Sequence, residues 1–112
     1  MAKFEYIEWL ETFLDRIVFY FDWDSGNDSK NLIKHKIDTS EAEEVFYDIG
    51  IAPLGIQTQP PANEIRLAVV GKTYADKMLF INFTIRDSKI RVISARPANK
   101  LEKDIYENKK IR

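Results

Sequence analysis

The sequence lacks cysteine and contains a single histidine, His35. Without thiols the chain has no disulfide, no thiolate metal site and no cysteine nucleophile, a composition typical of a reducing compartment. One imidazole is too few for an ordinary zinc site. We therefore expect neither a metal ion nor another cofactor.

Long apolar runs are also missing. No run approaches the roughly 18 residues that cross a membrane, and the segment Met1–Glu5 lacks the apolar centre of a signal peptide. We therefore expect a cytoplasmic protein with no membrane partner. The sequence also lacks the G-x-G-x-x-G, P-loop, H-E-x-x-H and G-x-S-x-G motifs, which removes the most recognisable nucleotide-binding and hydrolytic sites.

What the chain does contain is enough for one domain. Its 112 residues are 45% hydrophobic and 31% charged, with a net charge of -1. The charge is unevenly distributed, because residues 1–56 carry five basic and twelve acidic side chains, whereas residues 57–112 carry twelve basic and six acidic ones. This division is typical of a surface for nucleic acid or for an acidic partner, although an ordinary solvated domain can show it too.

The N-terminal residues 3–16 have helical periodicity. Apolar side chains recur on one side, and Glu8, Glu11 and Asp15 form an acidic stripe on the other, which predicts an amphipathic helix. An acidic polar face favours packing on the protein's own core over binding to an anionic membrane. Binding of a partner protein is the other interpretation of this helix.

The middle of the chain is predicted to form several short elements. The β-branched and aromatic alternation after Arg16 predicts a strand, and Gly50 marks the end of a helical region. The expected elements are a strand at 17–24, a short helix from Asp28 or Ser29 to about Lys36, a second helix opened by an S-x-x-E capping box of Ser40 and Glu43, and at most a short edge strand within the proline-rich stretch 51–63.

The second half of the chain carries the clearest pattern. Strand-like runs at 64–72, 78–86 and 89–96 are separated by short connections, which predicts an antiparallel meander. Asn99 is placed to cap a final helix from Lys100 to about Ile111. This order of elements predicts an α+β domain with helices packed on an antiparallel sheet.

Alternation within the three strands predicts which side chains share a face. If the apolar side faces the helices, the other side collects the polar residues Arg66, Lys72, Asn82, Thr84, Arg86 and Arg91. Guanidinium groups match phosphate oxygens through paired hydrogen bonds, so this face is a candidate phosphate-binding surface. The same residue types are also usual on the solvated face of any antiparallel sheet. Arg96 has the opposite parity to Arg91, and it joins this face only if the strand bends before Pro97.

His35 is the natural proton-transfer group near neutral pH, and it lies in the basic triplet Lys34-His35-Lys36. A histidine near the end of a helix also caps or packs. Asp22, Asp24 and Asp28 lack the spacing of an EF-hand loop and are predicted to be turn and cap residues.

Several segments follow one another in an order that resembles a known family. They are Phe21-Asp22-Trp23-Asp24, Asn31-Leu32-Ile33-Lys34-His35, Ser40 to Asp48, Arg66 with Val70-Gly71-Lys72, and Ile90 to Ala98 with Glu102 and Tyr106. Together they resemble the BrnT family of ribonuclease toxins of type II toxin-antitoxin modules over residues 19–107. The chain departs from the family at Lys36, where members usually have glycine, and residues 1–16 precede the usual start.

The resemblance implies a RelE-like fold and a metal-independent, bacterial endoribonuclease that cleaves RNA through attack by the ribose 2′-hydroxyl. It also implies a BrnA-type antitoxin as partner, which contacts DNA on behalf of the complex. We expect one domain over 1–112, made of a toxin domain at 17–112 and an N-terminal helical extension at 1–16 that caps a sheet edge or shields the basic face. A non-catalytic module that binds RNA or an antitoxin is the alternative.

The resemblance and the alternation together select the candidate site residues. The expected catalytic group consists of Lys34, His35, Arg66, Arg91 and Arg96. The expected RNA-binding group consists of Lys72, Thr84, Arg86 and Tyr106. The arginines are expected to clamp phosphate, and Lys34 and His35 to orient groups or move protons. Tyr106 is expected to stack on a base or take part in proton transfer, unless it packs in the core.

Overall fold

A five-stranded antiparallel sheet carries the fold, with its strands side by side in the order of the chain. The computed structural model describes residues 2–28 and 35–111. Within these ranges the elements are β1 (Lys3–Glu5), α1 (Glu8–Leu14), α2 (Thr39–Val45), β2 (Ala52–Gln59), β3 (Leu67–Lys72), β4 (Met78–Arg86), β5 (Lys89–Pro97) and α3 (Lys100–Ile111). The predicted α+β class is confirmed.

The second half of the chain folds as predicted. The three strands of the meander are β3, β4 and β5, and the run at 64–72 is shortened to Leu67–Lys72. Asn99 caps α3, because its Oδ1 accepts from the Glu102 N–H at 2.8 Å while Glu102 Oε1 accepts from the Asn99 N–H at 2.9 Å. This reciprocal pair satisfies two backbone donors at the start of the helix.

The N-terminal prediction was partly wrong. Residues 3–5 form a strand that pairs with β2, and the helix is confined to Glu8–Leu14. The edge of β2 offers hydrogen bonds to the backbone of residues 3–5. These bonds favour a strand over the helix that the periodicity of the segment predicts. Leu10 and Phe13 are buried in the main core, so this segment contributes to the packing of the domain.

The strand predicted at 17–24 is absent as a regular strand. Only an isolated parallel bridge joins Phe21 to Ile90, with Ile90 donating to Tyr20 O and Asp22 donating to Ile90 O, both at 2.8 Å. The alternation holds from Phe19 onwards, since Phe19 is buried and Phe21 packs against the core, whereas Ile17 is exposed. The segment therefore lies along the outer edge of β5 without forming a full ladder.

The capping box of α2 lies two residues earlier than predicted. Asp38 is the N-cap and Glu41 completes the box, with Glu41 Oε1 accepting from the Asp38 N–H at 3.1 Å. Ser40 and Glu43 lie inside the helix instead. The short helix predicted up to Lys36 falls largely on residues 29–34, which lie outside the described ranges.

The stretch 51–63 contains a longer strand than predicted. β2 has eight residues and is internal, between β1 and β3. A register shift between Pro53 and Gly55 accommodates the proline. Gly55 has φ 125°, and a Cβ atom there would lie 1.9 Å from Glu5 O. Glycine at this position allows β1 to approach β2.

The core lies on both faces of the sheet. The front face packs against α1 and α2 through the side chains Leu67, Val69, Leu79, Ile81, Phe83 and Val92. The back face packs against α3, where Ile105 and Tyr106 contact the cluster formed by Ala68, Val70 and Phe80. The sequence pattern predicts the helices on one face of the sheet, whereas α3 covers the apolar part of the other. No helix of the described ranges is both long and apolar enough to cross a membrane.

Candidate phosphate-binding face

The polar half of the back face is built by cross-strand pairs. Asn82 pairs with both Ala68 and Ser94, and Thr84 pairs with Arg91. Directly paired residues of neighbouring strands point to the same side of a sheet. Arg66 lies two residues before Ala68 and so belongs to the same side by parity. The alternation argument therefore placed this set on one face correctly.

A β-bulge brings Arg96 to this face as well. Asn82 pairs with Ser94 but Phe83 pairs with Val92, so Ile93 is an extra residue in β5. One extra residue reverses the parity of everything that follows it. Arg96 consequently pairs with Phe80 on the back face. By its parity in the sequence, Arg96 joins this face only if the strand bends before Pro97, and the bulge three residues before Arg96 provides that bend.

Arg66 has the most distinctive environment of the four arginines. Its side chain is half-buried, and its Nε is a buried atom with no hydrogen-bond partner among the described residues. The other three candidate arginines all form ion pairs in the same ranges. A buried N–H group without an acceptor is costly, so Arg66 is the arginine of this face with a donor that the described residues leave unsatisfied.

Arg91 is held by two carboxylates from the loop after residue 21. Its Nη1 and Nη2 donate to the two oxygens of Asp24 at 3.0 and 2.9 Å, and Nη1 lies 3.5 Å from Asp22 Oδ2. The Arg91 guanidinium and then the Gly26 N–H lower the pKa of the Asp24 carboxyl, and Asp24 in turn raises the pKa of Arg91. The carboxylates occupy the fork that a phosphate would use.

Arg96 and Arg86 are also paired with acids. Both oxygens of Glu102 accept from Arg96 at 2.7 Å, and the Arg96 guanidinium carbon lies 4.1 Å from the centre of the Phe80 ring. Arg86 donates to Glu64 at 3.3 Å and is largely exposed. Arg96 is therefore firmly oriented, whereas Arg86 is an exposed charge with a weak partner.

Lys72 and Tyr106 lie at the other end of the back face, under α3. The Tyr106 ring is buried and its hydroxyl donates to Asp48 Oδ2 at 2.9 Å. Burial and this hydrogen bond raise the pKa of Tyr106 well above its ordinary value. Lys72 Nζ lies 5.5 Å from the Tyr106 ring centre and 4.0 Å from Asp76. These two candidates form a separate group from the arginines.

The remaining candidates are placed differently. Thr84 is buried, and its hydroxyl donates to Ile65 O at 2.6 Å. This hydrogen bond ties β4 to the residue before Arg66. His35 is half-buried and forms no hydrogen bond with the candidate arginines of the described ranges. Lys34 lies outside those ranges.

Sequence reasoning missed the acidic partners of the site. Asp24 was interpreted as a turn residue, and Glu64 was treated only as part of a strand. Their spacing from their arginines, 67 and 22 positions respectively, carries no local signal. The opposite charges of the two halves of the chain agree with the pair Asp24–Arg91, which joins the halves, whereas Glu64 and Arg86 both lie in the second half. Residues 2–28 and 35–111 contain no group of three or more His, Asp or Glu side chains arranged to hold a metal ion.

Comparisons with known proteins identify a matching family and a similar solved structure. A sequence model of the family described as the ribonuclease toxin BrnT of type II toxin-antitoxin systems matches residues 23–102. The 1.1 Å crystal structure of the Brucella abortus ribonuclease toxin BrnT superimposes with a TM-score of 0.52 at 21% identity, covering 74% of this chain and 100% of that one. No curated protein gives a significant match.

Proposed function

Because the chain belongs to the BrnT family of ribonuclease toxins of type II toxin-antitoxin systems, we propose that it cleaves RNA without a metal ion, through attack of a ribose 2′-hydroxyl on the adjacent phosphate. The observation that carries this proposal is the buried, unpartnered Nε of Arg66 within a face that bears three further arginines. This donor is covered, so a phosphate oxygen reaches it only when its surroundings rearrange, and the contact would then satisfy an N–H group that the described residues leave without an acceptor.

The proposed reaction asks the protein for position, charge and proton transfer. The 2′-oxygen bonds to phosphorus, the bond from phosphorus to the 5′-oxygen breaks, and the products carry a cyclic phosphate and a 5′-hydroxyl. Arg66 stabilises the charge that develops on the phosphorus oxygens, with Arg91 and Arg96 beside it. Lys34 and His35 remain the proposed groups for accepting or donating protons.

We propose that phosphate exchanges with the carboxylates that hold Arg91. The Asp24 side chain is more than half exposed, so it can turn into solvent while Arg91 stays in place. Arg96 keeps its acid, because Glu102 is buried and also caps α3. Arg66 and Arg91 are thus the direct phosphate ligands, and Arg96 orients the face next to them.

The proposed partner is an antitoxin of the BrnA type, with DNA contacted only through it, in the cytoplasm. The surplus of basic side chains after residue 56 suits an acidic antitoxin segment. Such a segment would cover the phosphate-binding face and compete with RNA.

The test is cleavage of a labelled single-stranded RNA by the purified chain in EDTA. We expect products with cyclic phosphate ends, and a rate lowered about 100-fold or more in Arg66→Ala. Lys103→Ala, on the exposed side of α3, is the matched charge-removal control and should cleave like the wild type. Equal cleavage by a folded Arg66→Ala protein would overturn the assignment.

The ion pairs also favour a second function, a module that binds RNA or an antitoxin without cleaving. Three of the four arginines are already neutralised by carboxylates, which lowers the charge available to a transition state. A binding module would retain RNA on a filter, lose affinity in Arg66→Ala, and release no cyclic phosphate at any enzyme concentration.

A further inference from the structure

A groove opens on the back face between β1 and α3, next to the arginines. It has a volume of about 520 Å³, and its lining includes Phe4 from β1, Leu101 from α3, and Asn82, Ser94 and Arg96 from β4 and β5. This size is within the range of small-molecule sites, and the mixture of apolar walls with a few polar groups is typical of them. The groove is part of the same surface as the proposed phosphate ligands.

The apolar wall of the groove is aromatic. Phe4 is half-buried and its ring lies 5.8 Å from the ring of Phe80, tilted by 59°. The Arg96 guanidinium already lies over the Phe80 ring, 4.1 Å from its centre. Phe4 is therefore the aromatic side chain that a flat ligand can reach, and it comes from a strand that lies before the family match at 23–102.

The polar part of the groove is already oriented. The Asn82 amide is buried and donates to Leu67 O at 3.2 Å and to Gln57 Oε1 at 3.4 Å. Gln57 is itself fixed, because its Nε2 donates to Pro60 O at 2.7 Å. Both N–H groups of Asn82 are used in these bonds, so its Oδ1 and the second Nε2 hydrogen of Gln57 are the acceptor and the donor that the two oriented amides can offer to a base edge.

The spacing along β4 links this groove to the phosphate ligands. Asn82 and Thr84 lie two residues apart on the same face, about 7 Å along the strand. A phosphate at Arg66 and Thr84 therefore leaves the neighbouring base of a single strand within reach of Asn82 and Phe4. Stacking on an aromatic ring combined with amide contacts to the base edge is a usual mode of single-stranded RNA recognition.

We propose that this groove binds one nucleobase of the RNA next to the cleaved phosphate, and that Phe4 and Asn82 set a base preference. The inference rests on the proposed RNA-directed function, which it deepens by naming the subsite. It assigns to β1 a part in recognition, beyond its pairing with β2. Phe4 supplies the stacking surface and Asn82 reads the base edge.

The test is a titration of the wild-type chain with each of the four nucleoside 5′-monophosphates and with ribose 5-phosphate, followed by amide NMR. We expect the nucleotides to shift the Phe4 backbone and Asn82 side-chain signals, with unequal affinities, while ribose 5-phosphate shifts only the signals around Arg66. Phe4→Leu keeps an apolar side chain without the ring and should weaken nucleotide binding about tenfold. Trp9→Ala, an exposed aromatic of α1, is the control and should bind like the wild type.

The outcomes separate this inference from the proposed function. Base-dependent shifts at Phe4 and Asn82 that are weakened in Phe4→Leu support the groove assignment even if the chain cleaves no RNA. RNA cleavage with unchanged nucleotide binding in a folded Phe4→Leu protein overturns it while the ribonuclease assignment stands. Groove signals that respond only to an added antitoxin, and to no nucleotide, also overturn it.

Discussion

Arg91 and Asp24 bind each other through two parallel hydrogen bonds of 3.0 and 2.9 Å across 67 positions of the sequence. The pair fastens the loop after Asp22 to β5, and a second contact supports it, since the Asn27 amide donates to Val92 O at 3.1 Å. The same guanidinium is a proposed phosphate ligand. Its two roles compete, so the acid next to it should control RNA affinity.

Asp24→Asn should therefore raise RNA affinity. Removing one negative charge about 4 Å from the phosphate position should raise the RNA-binding constant about fivefold, because the repulsion at that distance in water is about 1 kcal/mol. The measurement is a fluorescence-anisotropy titration with a short single-stranded RNA at low salt. Asp104→Asn, an exposed acid on α3, is the matched control, and equal affinities for both variants and the wild type would argue against competition at Arg91.

Glu41 should make stability depend on acid pH. Its Oε2 accepts from Lys77 at 2.8 Å, and this bond, followed by the Asp38 N–H, holds the pKa of Glu41 below its ordinary value. A lowered pKa gives stabilisation that is present at neutral pH and is lost as the pH falls through the lowered value. Glu41→Gln should unfold about 1 kcal/mol more easily at pH 7. In urea titrations this difference should shrink as the pH is lowered, and a difference independent of pH would contradict the ionic explanation.

Tyr106→Phe should lower stability but not RNA cleavage. The hydroxyl donates to Asp48 Oδ2, which also accepts from the Lys72 N–H at 2.8 Å, so the variant leaves a half-buried carboxylate with one donor fewer. The expected loss is about 1 kcal/mol in the free energy of unfolding. A cleavage rate reduced far beyond what stability explains would instead support the direct RNA role that the sequence suggested.

Phe46→Ala should be the most damaging of the single substitutions considered. The centre of its ring lies 5.9 Å from that of Phe19, 5.6 Å from that of Phe21 and 5.1 Å from that of Phe83. Phe46 thus connects the segment that contains Phe19 and Phe21 to the front face of the sheet. A cavity at such a position costs about 3–5 kcal/mol. Ile49→Ala, at a fully exposed position, should stay within about 0.5 kcal/mol. Thermal unfolding followed by circular dichroism distinguishes the two.

Deleting the N-terminal segment is not a suitable test of whether it shields the basic face. Deleting residues 1–15 would remove Leu10 and Phe13 from the core, so loss of function in that variant would report unfolding rather than shielding of the basic face. Substitution of exposed acids on α1, such as Glu8 and Glu11, keeps the core intact. It therefore addresses shielding directly.

Local patterns were sufficient where local interactions decide the structure. The Asn99 cap and the ends of β4 were predicted correctly because turns and caps are encoded by neighbouring residues. β2 was underestimated, because a register shift near Pro53 is visible only when its partner strand is known. The strand at residues 3–5 was missed for a similar reason, since their own periodicity does not indicate that they pair with β2.

The candidate site was predictable to the extent that it follows strand parity. Arg66, Thr84 and Arg91 share a face because they alternate regularly in their strands. The acids that hold the arginines come from distant positions and leave no pattern within a window of sequence. The burial of Tyr106 and the orphaned Nε of Arg66 depend on how α3 and β3 pack, which composition and spacing do not determine.

The extra residue in β5 gives the pair of arginines around it an unusual sensitivity to chain length. Arg91 and Arg96 are five positions apart, an odd separation that a regular strand would place on opposite sides. Deleting Ile93 alone would remove the bulge and leave a separation of four, so every pair of the ladder is kept and both arginines stay on the back face. Deleting Ser94 as well would leave a separation of three, which would turn Arg96 away from Glu102 and towards the side that packs against α1 and α2.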